Sequence, residues 1–208
     1  MSTVPTTRTE RRKAATRRAI IDAAEQIVIE RGADALTLEA VSERADVALQ
    51  TIYNRVGTRS ALLVAVAERA QEDNREYMDA AYATPGSPVE RVMNAARAYL
   101  RFAVERPHQF RILADPPNEP EALQRIAELT IEQNAKLEAA LRDAAAEGLI
   151  PATVDPALTA KALWAAANGI LALGWRADEL RADPEEIAAL FGALLNLSPV
   201  ANAIPPIA

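Results

Sequence analysis

The stretch TLEAVSERADVALQTIYNRVGTR, residues 37–59, decides how this chain folds. Leu38, Val41 and Ala45 recur at helical spacing, and after Asp46 the set Val47, Ile52 and Val56 packs a second short helix against the first. Two short helices joined by a tight turn, with an earlier helix to brace them, make a helix-turn-helix. Small Ala45 allows close approach at the turn. Asp46 stands where glycine would be easiest, and aspartate tolerates a left-handed backbone better than most residues. With Ile52 and Val56 turned inward, Gln50, Thr51, Asn54 and Arg55 project outward. Those groups suit base edges and phosphates: an amide pairs with adenine, a guanidinium with guanine, and a threonine methyl packs on thymine. Tyr53 and Thr37 offer hydroxyls for phosphate, and Arg59 a nearby cation. The same polar face would also suit plain solvent, so spacing alone leaves both readings open.

The acidic balance of the chain does not exclude a nucleic-acid partner, because a local patch decides phosphate contact. The chain carries a formal net charge of −6, yet residues 1–62 hold ten Lys/Arg against eight Asp/Glu. The positive excess gathers in Arg8, Arg11, Arg12, Lys13, Arg17 and Arg18, a basic arm suited to salt-sensitive phosphate attraction. Cysteine is absent, which removes disulfides and thiolate metal sites. The N-terminus lacks an apolar secretory region. The longest nearly apolar run, Ala162–Trp175, is short of the ~20 residues that span a bilayer. A soluble cytoplasmic protein with no membrane partner is the expectation. No phosphate-binding loop, dinucleotide fingerprint or nucleophile elbow occurs, so neither catalysis nor a cofactor or metal is expected.

Outside residues 37–59 the helix punctuation is legible. Ser87-Pro88-Val89-Glu90 and Asp183-Pro184-Glu185-Glu186 each give a capping oxygen, a first-turn proline and a glutamate, and Asp155-Pro156 gives the first two. Gly32 and Gly148 sit where helices should stop. With scarce glycine and no alternating runs, the chain reads as all-α. An N-terminal three-helix helix-turn-helix domain (1–62) is joined to a larger helical bundle (63–208) for ligand binding and dimerisation. Helices are expected at about 13–31, 37–45, 48–56, 58–83, 88–105, 107–114, 120–147, 156–176 and 184–197, with a frayed proline-rich tail.

The segment TRRAIIDAAEQIVIERGADALTLEAVSERADVALQTIYNRVGTRSALLVAV resembles the N-terminal DNA-binding domain of the TetR family of transcriptional regulators. AYLRFAVERPHQFRILADPP is similar to a later helical segment of many such regulators. The resemblance implies phosphate contacts at Thr37, Tyr53 and Arg59, the last usually lysine, and places Leu49, Gln50, Thr51, Asn54 and Arg55 on the recognition helix. Lys13 and Arg17 belong to the basic arm. Asp46 replaces the usual turn glycine, Ala48 the usual serine or threonine cap, and Arg55-Val56 the common His-Phe. The family implies a repressor that binds a palindromic double-stranded operator as a homodimer and is released by a small-molecule effector. The competing reading is a helical protein–protein adaptor whose DNA-binding domain has lost operator binding.

The C-terminal half carries two further expectations. Helix 156–176 is apolar on nearly every side and should be buried all round. With helix 184–197 it would supply a dimeric four-helix bundle through Leu163, Ala167, Ile170, Leu171, Ile187, Leu190, Phe191 and Leu194. Aromatic and amide groups at Tyr99, Phe102, Phe110, Trp164, Asn168 and Trp175 are candidates for an effector pocket. Asn168 is the sharpest of them, because an amide in an apolar helix needs a partner.

Overall fold

A computed structural model describes residues 7–116 and 118–199, and Val200–Ala208 of the expected frayed tail lie outside them. Among the described residues the fold is all-helical, in the order α1 (Arg8–Arg31), α2 (Leu38–Ala45), α3 (Leu49–Arg55), α4 (Arg59–Ala83), α5 (Pro88–Glu105), α6 (Pro107–Ala114), α7 (Pro120–Ala146), α8 (Pro156–Ala172) and α9 (Pro184–Leu197). Short 3-10 turns at Ala33–Ala35 and Leu173–Trp175 complete it.

Caps explain most of these boundaries. Glu10 N–H donates to Thr7 Oγ1 (3.2 Å) while Thr7 N–H donates to Glu10 (2.9 Å), closing a capping box at the start of α1. The helix therefore begins at Arg8 rather than Lys13, and the expected basic arm is the first half of α1. Ser87 and Glu90 close the same kind of box on α5. Asp155 caps α8, and Asp183 accepts from Glu185 and Glu186 N–H (2.9 Å each) at α9.

The chain divides into two compact units, Met1–Ala70 with Asp115–Ala127, and Gln71–Ala114 with Glu128–Ala208. The sequence-based boundary at residue 62 falls inside α4, and residues 115–127 join the N-terminal unit. In that unit Ile20, Ala24, Ile27, Leu36, Val41, Ile52, Leu62 and Val66 are essentially inaccessible to solvent. Arg44 adds a bidentate bond from α2 to Glu30 of α1 (2.7 and 2.6 Å), and Arg69 on α4 bonds Asp22 and Glu25 of α1 (2.6 and 2.8 Å). Burial draws the Arg69 pKa down, but its two carboxylate partners more than offset that and leave it raised.

The C-terminal unit has two apolar clusters. Val89 and Val92 of α5 meet Ala140, Leu141 and Ala144 of α7, with Ile150 and Ala160. Phe102 and Phe110 meet Ala167 and Leu171 of α8 and Ile187 and Phe191 of α9.

The structure corrects the reading of α8. On that helix Ala160, Ala167 and Leu171 are buried, while Ala162, Ala165 and Gly169 are exposed and Leu158 is 67% exposed. All-round burial therefore does not occur within one chain. The helix starts at Pro156, where the Asp155-Pro156 pair places it. Pro156–Trp175 spans 20 residues at hydropathy 1.2, so length and composition alone would let it cross a membrane.

Candidate nucleic-acid and ligand sites

The turn between α2 and α3 is built as a sharp corner. Asp46 adopts φ 50°, ψ 51°, the one left-handed non-glycine among the described residues. Its short side chain makes that conformation affordable where most residues would clash. Val47 N–H donates to Ser42 O (3.2 Å), and Ser42 Oγ donates to Val47 O (2.6 Å), so the corner is closed from both sides. Ala48 then begins α3 with no side-chain cap, as its sequence implies. Gly57, at φ 122°, ends the motif before α4.

On α3 Ile52 is buried, and the polar residues divide in two. Gln50 and Asn54 are exposed and bond to each other, Gln50 Nε2 donating to Asn54 Oδ1 at 3.1 Å. Leu49 and Tyr53 are 38% and 52% exposed. Thr51 and Arg55, expected to point outward, are half-buried flank residues. The i, i+4 amide pair leaves one N–H of Gln50 and the Asn54 amide N–H groups directed to other partners, a donor-rich tip suited to base-edge or phosphate acceptors. Thr37 Oγ1 accepts from Ala40 N–H (3.1 Å) at the N-terminus of α2 and keeps its own proton to donate. That helix end carries partial positive charge, which favours an anion. Lys13 and Arg17 are exposed one turn apart on α1.

Arg59 differs from the expectation. Its Nε donates to Leu36 O (2.7 Å), its Nη2 to Ala33 O (2.9 Å), and its Nη1 pairs with Glu119. The guanidinium therefore brackets the 3-10 turn that leads into Thr37 rather than standing free for phosphate. A lysine, with one compact ammonium, cannot hold these three acceptors in a planar fork. No local signal points to Glu119 as the partner, because the pair spans 60 residues.

The C-terminal unit contains a cavity that, with the open solvent at its mouth included, measures about 810 Å3. Of the expected pocket residues, Tyr99 and Trp164 line it. Phe102, Phe110 and Trp175 instead pack on one another, with Phe102–Phe110 ring centroids 6.2 Å apart and Phe110–Trp175 at 5.7 Å. Asn168 is satisfied within the chain: its Oδ1 accepts from Tyr99 Oη (3.0 Å) and its Nδ2 donates to Trp164 O (2.8 Å). The first bond positions the Tyr99 side chain, and the second ties the amide to the backbone of its own helix. Burial pushes the Tyr99 phenol up to about 12, against the opposing bond to Asn168.

Sequence reasoning missed the cavity's polar lining. Gln71, Asn74, Met78 and Tyr82 on α4, and Thr130, Gln133, Asn134 and Leu137 on α7, face it. The signal was available, since each set recurs at helical spacing and would form one stripe. Gln71 and Asn74 are only 3% and 4% exposed.

The expected dimer residues also need correction. Ala167, Leu171, Ile187 and Phe191 are buried in the chain's own core, and Leu163 and Leu194 line the cavity. Ile170 and Leu190 are half-buried. The outer faces of α8 and α9 carry small residues instead: Ala162, Ala165 and Gly169 on one, Ala188, Ala189, Gly192 and Ala193 on the other.

A helix-turn-helix with a polar second helix, followed by a helical unit that holds a cavity, has the arrangement of a DNA-binding regulator fold. The family model for bacterial regulatory proteins of the tetR family matches residues 20–66, and the model for a tetracyclin repressor-like C-terminal domain matches residues 92–197. This chain belongs to the TetR family of transcriptional regulators. A search of curated proteins returns no match. Among solved structures, it is similar to a TetR-family regulator of Streptomyces coelicolor A3 (24% identity, 89% of this chain and 90% of that one, TM-score 0.62). It is also similar to SmeT solved with triclosan (22% identity, 93% and 96%, TM-score 0.72). AibR solved with isovaleryl coenzyme A and operator DNA is a third likeness (18% identity, 89% and 98%, TM-score 0.65).

Proposed function

We propose that this regulator is a repressor that binds a palindromic operator as a homodimer and releases it when a small molecule enters the cavity of the C-terminal unit. The observation that carries the reading is the exposed Gln50–Asn54 tip of α3, set on a corner closed by Asp46 and Ser42. Leu49, Gln50 and Asn54 would read base edges, with Thr51 and Arg55 on the flanks. Tyr53, Thr37, Lys13 and Arg17 would hold phosphates. Arg59 positions Thr37 rather than touching DNA.

A seven-residue helix reads only a few base pairs. Two copies about 34 Å apart read a palindrome. The small-residue outer faces of α8 and α9 favour close helix–helix approach between two chains, and the exposed Leu158 gives them apolar area to cover. For the ligand step, AibR and SmeT supply relatives solved with small molecules. In this chain α4 runs unbroken from Arg59 to Ala83, so a displacement at Gln71 and Asn74 can be carried toward Arg59. A coupling of about 1–3 kcal/mol makes a useful switch.

One observation favours the adaptor reading: α3 starts without a side-chain cap. A mobility-shift titration of the chain's own promoter region at several salt concentrations separates the two. A regulator gives a sequence-selective shift that weakens steeply with salt; an adaptor gives none.

A further inference from the structure

Three side-chain atoms on the wall of the C-terminal cavity have no hydrogen-bond partner in the protein while being shielded from solvent. They are Asn74 Oδ1, Tyr82 Oη and Gln133 Nε2. Among the described residues the one other such atom is Arg91 Nε, which does not line this cavity. Buried polar groups are ordinarily paired, because leaving one unpaired sacrifices its hydration with no return. The fold shows what pairing looks like on the same wall, where Tyr99 Oη donates to Asn168. Three orphans concentrated in one cavity therefore mark groups kept for a ligand.

The rest of the wall sets the ligand's charge. Met78, Leu137, Leu163 and Trp164 supply apolar surface, and the described lining contains no lysine, arginine, histidine, aspartate or glutamate. A carboxylate or phosphate entering it would lose its hydration without meeting a counter-charge, a penalty that hydrogen bonds from neutral amides do not repay. A hydroxyl or amide avoids that penalty and still engages the orphans. The Tyr82 phenol, its pKa raised by burial, stays protonated and can donate as well as accept.

We propose that the cavity selects an uncharged, largely apolar molecule bearing a hydroxyl, phenol or amide that both donates and accepts hydrogen bonds, held by Asn74, Tyr82 and Gln133. The inference rests on the cavity being the effector site and names the chemical class of that effector. It sets acyl esters of charged carriers and free fatty acids outside this chain's range.

The test is isothermal titration calorimetry of the full chain with naphthalene, 2-naphthol and 2-naphthoate. Near neutral pH these share one ring system and differ in polarity and charge. The expected result is 2-naphthol binding at least about tenfold tighter than either of the others. Asn74→Leu and Gln133→Leu, which remove the amide donors and acceptors, should abolish the preference for 2-naphthol over naphthalene. Should either variant fail to fold, Tyr82→Phe provides the same comparison with one atom removed. The proposal is overturned if 2-naphthoate binds as tightly as 2-naphthol, if 2-naphthol binds no better than naphthalene, or if none of the three binds. Operator affinity is measured in parallel. Selective 2-naphthol binding that leaves operator affinity unaltered refutes the regulatory reading and keeps the ligand class, whereas release by 2-naphthoate alone does the reverse.

Discussion

The helix-turn-helix and the C-terminal cavity use polar side chains in opposite ways. Around α2 and α3 the polar side chains lock the fold: Ser42 closes the turn, Arg44 holds Glu30, and Arg59 holds Ala33 O, Leu36 O and Glu119. What remains outside, Gln50, Asn54 and Tyr53, is exposed and available. In the cavity three polar atoms, Asn74 Oδ1, Tyr82 Oη and Gln133 Nε2, are drawn inward and left unpaired. The first arrangement fixes a rigid shape that presents donors to a large external partner. The second keeps its unsatisfied groups for something small enough to enter. On the proposed reading, specificity for DNA and specificity for an effector would rest on opposite treatments of the same residue types.

The largest effect expected on the first side comes from its core. Ile52→Ala removes a fully buried side chain between α3 and α1 and should cost about 2–5 kcal/mol, read by urea unfolding. Arg59→Ala comes next. It leaves two carbonyls and Glu119 short of a partner and should cost about 1–3 kcal/mol. The salt dependence of DNA binding sharpens the comparison here. If Arg59 is a bracket, the slope of log affinity against log salt stays at the wild-type value; a phosphate contact would reduce it by about 1. Ala48→Ser supplies the missing cap of α3 and should stabilise by about 1 kcal/mol, measurable as a higher melting temperature. Gln50→Ala should barely change stability and should relax preference at particular base pairs. Equal losses at every base position would break its assigned role.

The smallest effect is electrostatic. The Arg44 guanidinium holds the Glu30 carboxyl below its ordinary value. A folded-state pKa below the unfolded one gives stability that is present above the unfolded value and lost as pH falls through the folded value. Glu30→Gln should therefore lower stability slightly at neutral pH and flatten the acid limb of the stability–pH curve, checked by thermal melts from acidic to neutral pH.

Most helix boundaries were legible because caps and prolines are local signals. Ser87-Pro88, Asp155-Pro156 and Asp183-Pro184 each start a helix where the sequence says. Thr7 and Glu10 carried the same signal for α1, and the basic residues after them masked it as an unstructured arm. The left-handed turn at Asp46 was readable too, since few other residues could occupy it. Long-range partners were not readable. Nothing local ties Arg59 to Glu119, so a residue type suited to phosphate was placed outward. In the C-terminal half, aromatic content pointed at the pocket and mostly found the core: Phe102 and Phe110 fill the interior, as large rings usually do. The cavity is marked by amides instead. Gln71 and Asn74 look like ordinary polar helix positions until the fold shows which way they face. Ile187, Leu190, Phe191 and Leu194 at i, i+3, i+4 and i+7 on α9 likewise read as a dimer seam, yet Ile187 and Phe191 are needed by their own core.

Selection of bound duplexes from a random-sequence pool by the purified chain tests the central claim most directly. The account predicts enrichment of a palindrome whose half-sites are centred about one helical turn, or a whole multiple of it, apart. Recovery of no enriched sequence, or of a single unpaired half-site, would contradict it.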